Sequence, residues 1–243
     1  MCSGGENIKI DAVYTWVGND AGTKEAFEAL AGEISADSES RMKRRITDNG
    51  ELRYSLRSLR KYASWIEKIH IITNGHPPSW LDLSHSAINH VVHKEIFPDT
   101  SVLPTFNSHA IECNLHRIPS LNPYFLYFND DIFLGRSTEV STFIRDHELR
   151  FYAMENESKK IKEEVLPYGS ELYFFISLSE KHWIKRITEF IRLLKNKPLF
   201  FCINDDIDHH VSFRAKWLFL LMKFTLQRLF PEPAPWEKDQ YTL

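Results

Sequence analysis

Short, dense apolar runs punctuate the first half of the chain, and turn-forming or charged residues separate them. Residues 8–17 (IKIDAVYTWV), 68–73 (KIHIIT), 88–93 (INHVVH) and 124–128 (YFLYF) combine β-branched and aromatic residues over strand length. The first reads as a buried strand, and residues 124–128 as a strand buried on both faces. Gly18, Asn19 and Asp20 end the first run, and Asn74-Gly75 with Pro77-Pro78 end the second. Between them the period changes. Asp48 and Glu51 have capping-box spacing, and Leu52, Leu56, Leu59 and Ile66 recur at helical intervals, predicting an amphipathic helix over about residues 50–65. Residues 21–45 predict another helix followed by a polar, exposed excursion. Asn107 or Ser108 caps a further helix, with Ile111, Leu115 and Ile118 as its buried stripe. Strand, helix and strand in alternation predict an α/β fold, a mostly parallel sheet with flanking helices.

The second half is less regular. Residues 143–197 hold a charged stretch (ESKKIKEE), an apolar stretch (LYFFISL) and a helix-like KHWIKRITEFIRLLKN, without a motif. Residues 213–230 form an amphipathic pattern that suits a core helix, or an interfacial one if its lysines and arginines face a bilayer. Three prolines in FPEPAPWEKD make an extended tail, expected to pack by Phe230 and Trp236.

Composition narrows the function. At 243 residues, with 43% hydrophobic residues, the chain can bury one large core, so a single domain over 1–243 is expected. A formal net charge of -3 provides no basic field, which argues against nucleic acid as a partner. Cys2, Cys113 and Cys202 are scattered and fit a reducing compartment rather than a disulfide framework. No signal-like start or bilayer-length apolar stretch is visible, so the expected location is cytoplasmic, with peripheral contact at the inner membrane through residues 213–230 as the variant.

The chemistry concentrates in a repeated tripeptide. Asn129-Asp130-Asp131 and Asn204-Asp205-Asp206 each follow an apolar run, where open α/β sheets hold their ligands. Adjacent carboxylates repel each other, and Mg²⁺, Mn²⁺ or Ca²⁺ is the usual compensation, so the two copies together predict an acidic cation site. The plainer alternative is a turn or a helix cap at each copy. Arg53, Arg57 and Arg60 recur along one stripe of the helix at 50–65, as a solvated face or as forks for phosphate. His109, Glu112 and His116 share a helix face, with Glu112 expected to pair with His116 or Arg117 near a ligand pocket.

These segments resemble the Stealth family of sugar-phosphate transferases. IDAVYTWV resembles its first block. DNGELRYSLRSLRKYASWIEKIHIITNG, LPTFNSHAIECNLHRI and FLYFNDDIFLG resemble its second, and FCINDDIDHH through LFPEPAPWEK its fourth. The blocks lie at residues 8–20, 46–136 and 199–238, with 145–197 unassigned. The resemblance implies a Rossmann-like fold of the nucleotide-sugar transferase type, moving a sugar 1-phosphate from a nucleotide-sugar donor such as UDP-N-acetylglucosamine to a hydroxyl of a glycan or polysaccharide acceptor, with a divalent cation. It implies capsule or exopolysaccharide synthesis. By the same resemblance Asp131 is the general base or orienting group, with Asp130 as its catalytic neighbour, and Asp130, Asn204 and Asp206 are cation ligands or support those ligands. Arg53 and Arg57 become phosphate or scaffold contacts. Tyr14 and Trp16 line the nucleotide pocket, and Asn107, Glu112, His116 and Asn129 are polar contacts to substrate. Two departures stand out. Gly18 occupies a place that is usually acidic or amide. Residues 145–197 hold neither the His-x-Pro setting nor the arginine of the third block, with His147, His182, His209 and His210 as the candidate substitutes. A metal-dependent glycosyltransferase and an inactive homologue that only binds are the competing readings.

Overall fold

Residues of high β propensity form β1 at Ile10–Thr15, and five of its six residues are buried. The computed structural model describes residues 8–18, 20–31, 50–145, 148–149, 173–177, 200–204 and 226–238. These strands follow the predicted runs closely: β2 at Ile69–Thr73, β3 at Ile88–Val92 and β4 at Tyr124–Asn129. They form one parallel sheet in the order β3-β2-β1-β4. Parallel neighbours need crossovers; helices lie in those from β1 to β2 and from β3 to β4, while a loop at 74–87 makes the one from β2 to β3. The helices α1 (Ala21–Ala31) and α2 (Glu51–Tyr62) lie between β1 and β2 in the chain, and α3 (His93–Ile96) and α4 (Ser108–Glu112) between β3 and β4. The α/β class is therefore the observed one.

The chain groups into two compact units, the first comprising Met1–Leu52, Ile66–Asp130 and Pro233–Leu243, the second Arg53–Trp65 and Asp131–Glu232. In the first, Val13, Ile72 and Val91 of the sheet pack with Ile96, Phe97, Ile111, Leu115 and Ile118. The predicted stripe at Ile111, Leu115 and Ile118 is buried, although α4 stops at Glu112 and a 3₁₀ turn, Leu115–Arg117, carries the rest. One expectation is corrected. Residues 124–128 are not covered on both faces, because β4 is the outer strand of the described sheet and Phe128 alone of its residues is buried.

A polar chain runs through this core. Asp11, wholly buried in β1, accepts from the Asn122 backbone N–H at 2.9 Å and its Nδ2 at 2.8 Å, and lies 3.0 Å from His70 Nε2. His70 Nδ1 in turn lies 2.9 Å from Asn89 Nδ2. The carboxylate thus ties β1 to β2 and to the loop that enters β4.

His93 opens α3 with its ring tilted against Phe97 and its Nδ1 buried without a hydrogen bond among the described residues. Burial pushes its pKa down to about 4. The unfolded chain takes a proton there near pH ~6.5 that the folded chain refuses, so this contribution is whole above that pH and lost as pH falls toward the folded value. Urea unfolding at pH 7 and pH 4.5 should show a destabilisation of roughly 2 kcal/mol at acid pH attributable to this residue. A His93→Phe chain should lose that part of the difference, and an unchanged acid loss would contradict the assignment.

In the second unit, β5 (Ile132–Leu134) pairs antiparallel with β9 (Phe200–Asn204), which runs parallel to β8 (Tyr173–Ser177). A small hairpin joins β6 (Ile144–Arg145) to β7 (Glu148–Leu149). The expected helix at 50–65 is α2, with Leu52, Leu56 and Leu59 fully buried, but it ends at Tyr62, and half-buried Ile66 lies beyond it. Its serines are buried as well. Ser55 Oγ donates to the Ile132 carbonyl, and Ser58 Oγ accepts from Leu134 N at 2.9 Å, so two hydroxyls fasten the helix to β5. The predicted tail packs as expected through Phe230, which meets Tyr62 edge to face, while in the first unit Trp236 is buried and meets His85. The Asp48 cap and the segments 150–172, 178–199 and 205–225 lie outside the described residues. Among those described, no helix is long and apolar enough to cross a membrane.

Candidate functional site

The connectivity of the sheet fixes where a ligand belongs. From β1 the chain builds outward through β2 to β3, then returns to the opposite side of β1 to lay down β4. Neighbouring connections leave in opposite directions there, which opens a crevice outside the carboxyl ends of β1 and β4. Thr15 and Asn129 are register partners at that edge.

Tyr127 organises it. Its hydroxyl lies 3.0 Å from Thr15 Oγ1, 3.0 Å from Asn129 Oδ1 and 3.2 Å from Glu112 Oε1. Burial, reinforced by the charges of Glu112 and Asp130, pushes the phenol up to about 12 against the opposing Thr15 hydrogen bond, so it holds its proton. The edge therefore carries a hydroxyl, an amide and a carboxylate, joined by one protonated phenol and followed directly by half-buried Asp130. Tyr127 escaped the sequence reading because it sits inside an aromatic run. The signal was available in strand alternation, which puts Tyr127 on the same face as Asn129.

The predicted residues divide. Glu112 and Asn129 meet through Tyr127, and Glu112 accepts from it rather than from His116 or Arg117. Tyr14, expected on a pocket wall, is fully buried and stacked on Phe128 with centroids 4.9 Å apart. Trp16 is buried just past the strand, and a Cβ at Gly18 would stand 2.3 Å from its ring. Any side chain at Gly18 would therefore meet the indole. Asn107 caps α4 by accepting from His109 N at 3.1 Å, and both Asn107 and His116 are exposed. Beside β1, Asp20 caps α1 through the Thr23 N–H at 2.9 Å and hydroxyl at 2.7 Å. Partial burial raises its pKa, but those bonds and nearby His76 outweigh it, and the net shift is downward.

In the second unit, Arg57 Nη1 donates to the Phe230 carbonyl at 3.1 Å and the guanidinium sits over the Tyr54 ring, which makes it a brace for the C-terminal segment. Arg53 is half-buried one turn earlier. Asp131 immediately precedes β5, and antiparallel pairing of Ile132 with Cys202 sets that end of β5 beside the carboxyl end of β9, where Asn204 closes the strand. Asp206 lies outside the described residues, as do His147, His182, His209 and His210. Among the described residues no three His, Cys, Asp or Glu side chains converge as a metal-holding group.

Comparison with known proteins bears on the same segments. The model of Stealth protein conserved region 2 matches residues 45–151, and that of conserved region 4 matches residues 191–242. An exopolysaccharide phosphotransferase of Streptomyces coelicolor is 47% identical over 135 residues, covering 55% of this chain and 23% of that protein. A capsular polysaccharide phosphotransferase of Haemophilus influenzae is 40% identical over 147 residues, covering 58% of this chain and 39% of its own length. One from Neisseria meningitidis serogroup A is 41% identical over 138 residues, 56% of this chain and 25% of that protein. The chain therefore matches only a minor part, 14% to 39%, of the length of such relatives. With two separate regions of one family matched, one of them spanning Glu112, Tyr127 and Asn129 to Asp131, the chain belongs to the Stealth family.

Proposed function

We propose that the chain carries sugar-phosphate transfer, moving a sugar 1-phosphate from a nucleotide sugar to a glycan hydroxyl in capsular or exopolysaccharide synthesis. The observation that carries this reading is the conserved region 2 match, because it embraces the polar edge of β4 and the acidic turn, and the similar proteins are named phosphotransferases. Phosphoryl transfer asks little covalent chemistry of a protein. It asks that the phosphates be neutralised and the attacking hydroxyl be aligned and relieved of its proton. A carboxylate does the last of these, and we assign it to Asp131, with the amide of Asn129 and the carboxylate of Glu112 as contacts to the sugar. Asp130, Asn204 and Asp206 offer the oxygen donors that a hard divalent cation prefers, and that cation, when bound, would offset charge on the phosphates. Arg57 serves as scaffold in this reading. The expected location is cytoplasmic, with peripheral contact at the inner membrane as the variant.

The product decides between mechanisms. Incubating the chain with UDP-N-acetylglucosamine, Mg²⁺ and an oligosaccharide acceptor should release UMP, measured by anion-exchange chromatography. UDP as the product would overturn the proposal in favour of ordinary glycosyl transfer, and binding without either product would identify a silent homologue.

A further inference from the structure

Tyr127 differs from the other aromatic residues of its strand. Its ring packs against the apolar cluster formed by the sheet and the α4 segment, while its hydroxyl reaches Thr15 of β1, Glu112 of α4 and Asn129 of its own strand. Packing against that cluster restrains the ring and keeps its oxygen near these partners. The hydroxyl carries one proton, and Glu112 Oε1 and Asn129 Oδ1 both accept it, so Thr15 supplies the bond to the phenolic lone pair and the two acceptors share one donor. One oxygen thereby limits the placement of two side chains that start from different elements. Asn129 is exposed, and it immediately precedes Asp130; without a fixed partner its amide would sample several rotamers and face either way.

We infer that Tyr127 is a positioning residue, which transmits the rigidity of the apolar core to Asn129 and Glu112 and holds them where the sugar-phosphate substrate is bound. With Oδ1 turned toward Tyr127, the Asn129 Nδ2 faces away from the phenol and is left to donate to an oxygen of the ligand. This rests on the proposed reading of the β1–β4 edge as the substrate site. Without it Asn129 and Glu112 could still reach the sugar but would hold its phosphate off line, so loss of the hydroxyl should act on turnover more than on binding.

The test is Tyr127→Phe in the full chain, which keeps the ring and removes the hydroxyl alone. With UDP-N-acetylglucosamine and Mg²⁺, kcat for UMP release should fall about 10-fold to 100-fold, as for other small losses of alignment, while KM for the donor stays within about 2-fold. A kcat within about 2-fold of the parent, at unchanged melting temperature, would overturn the inference. A second readout needs no activity. In chain labelled with ¹⁵N-asparagine, the Asn129 side-chain amide signals, identified by their disappearance in Asn129→Asp, should move toward those of a free amide in Tyr127→Phe. Identical signals in parent and variant would refute the positioning even if the parent released no UMP, whereas a shift in a chain without UMP release would uphold it and end the transferase reading instead.

Discussion

Asp131→Asn should lower UMP release by about 10²-fold to 10⁴-fold, the range associated with losing a positioned general base. The substitution is close to isosteric and leaves β5 to pair as before, so melting and circular dichroism should match the parent. It takes away the negative charge and the proton acceptor while keeping a polar group at the half-buried turn. The companion experiment separates a base from a cation ligand. Asp206→Asn should raise the Mg²⁺ concentration needed for half-maximal rate, and excess Mg²⁺ should restore part of its activity. Asp131→Asn should not respond. Recovery of Asp131→Asn at high Mg²⁺ would reassign it to the cation, and undiminished turnover would remove it from the chemistry.

The largest effect on stability should come from Asp11→Ala. The buried carboxylate receives two bonds from Asn122 and one from His70, all within 3.0 Å, so truncation strands three polar groups inside the first unit. Removing one member of such a buried pair costs about 3–5 kcal/mol, a large part of the stability of an ordinary domain. Denaturant unfolding of the purified variant should show a lower midpoint at similar slope. A cost below about 1 kcal/mol would mean that water enters and replaces the carboxylate.

The sheet was legible because its strands are hydrophobic runs with clear stops, and α2 because its leucines recur at helical intervals. What escaped was polar chemistry inside apolar text. Asp11 looked incidental within IDAVYT, and Ser55 and Ser58 looked like filler between leucines, because periodicity treats polar positions as solvent-facing. The resemblance implies a pocket wall at Tyr14, but in the sheet its register partner is Phe128, and two rings at that spacing stack. Asn129 was recognisable from its motif and Tyr127 from strand alternation, whereas the contact of Tyr127 with Glu112 depends on α4 arriving beside β4, which no local pattern encodes. The acidic turn was visible in the chain. Its neighbour at the end of β9 became visible only through antiparallel pairing across about seventy intervening residues.

The C-terminal segment has a consequence for how the protein is made. Asp82 N donates to the Trp236 carbonyl at 2.7 Å, Lys238 N donates to the Trp80 carbonyl at 2.8 Å, and Leu81 forms a bridge with Glu237. The loop between β2 and β3 therefore receives its last partners from residues translated more than a hundred and fifty codons later. The four parallel strands can associate on the ribosome once residue 129 has emerged, but the Trp80 to Asp82 loop waits with its backbone groups turned to water until residue 238 clears the exit tunnel. Synthesis and completion of the first unit are thus separate events in time, and a nascent chain halted before residue 233 would present an assembled sheet with an open flank.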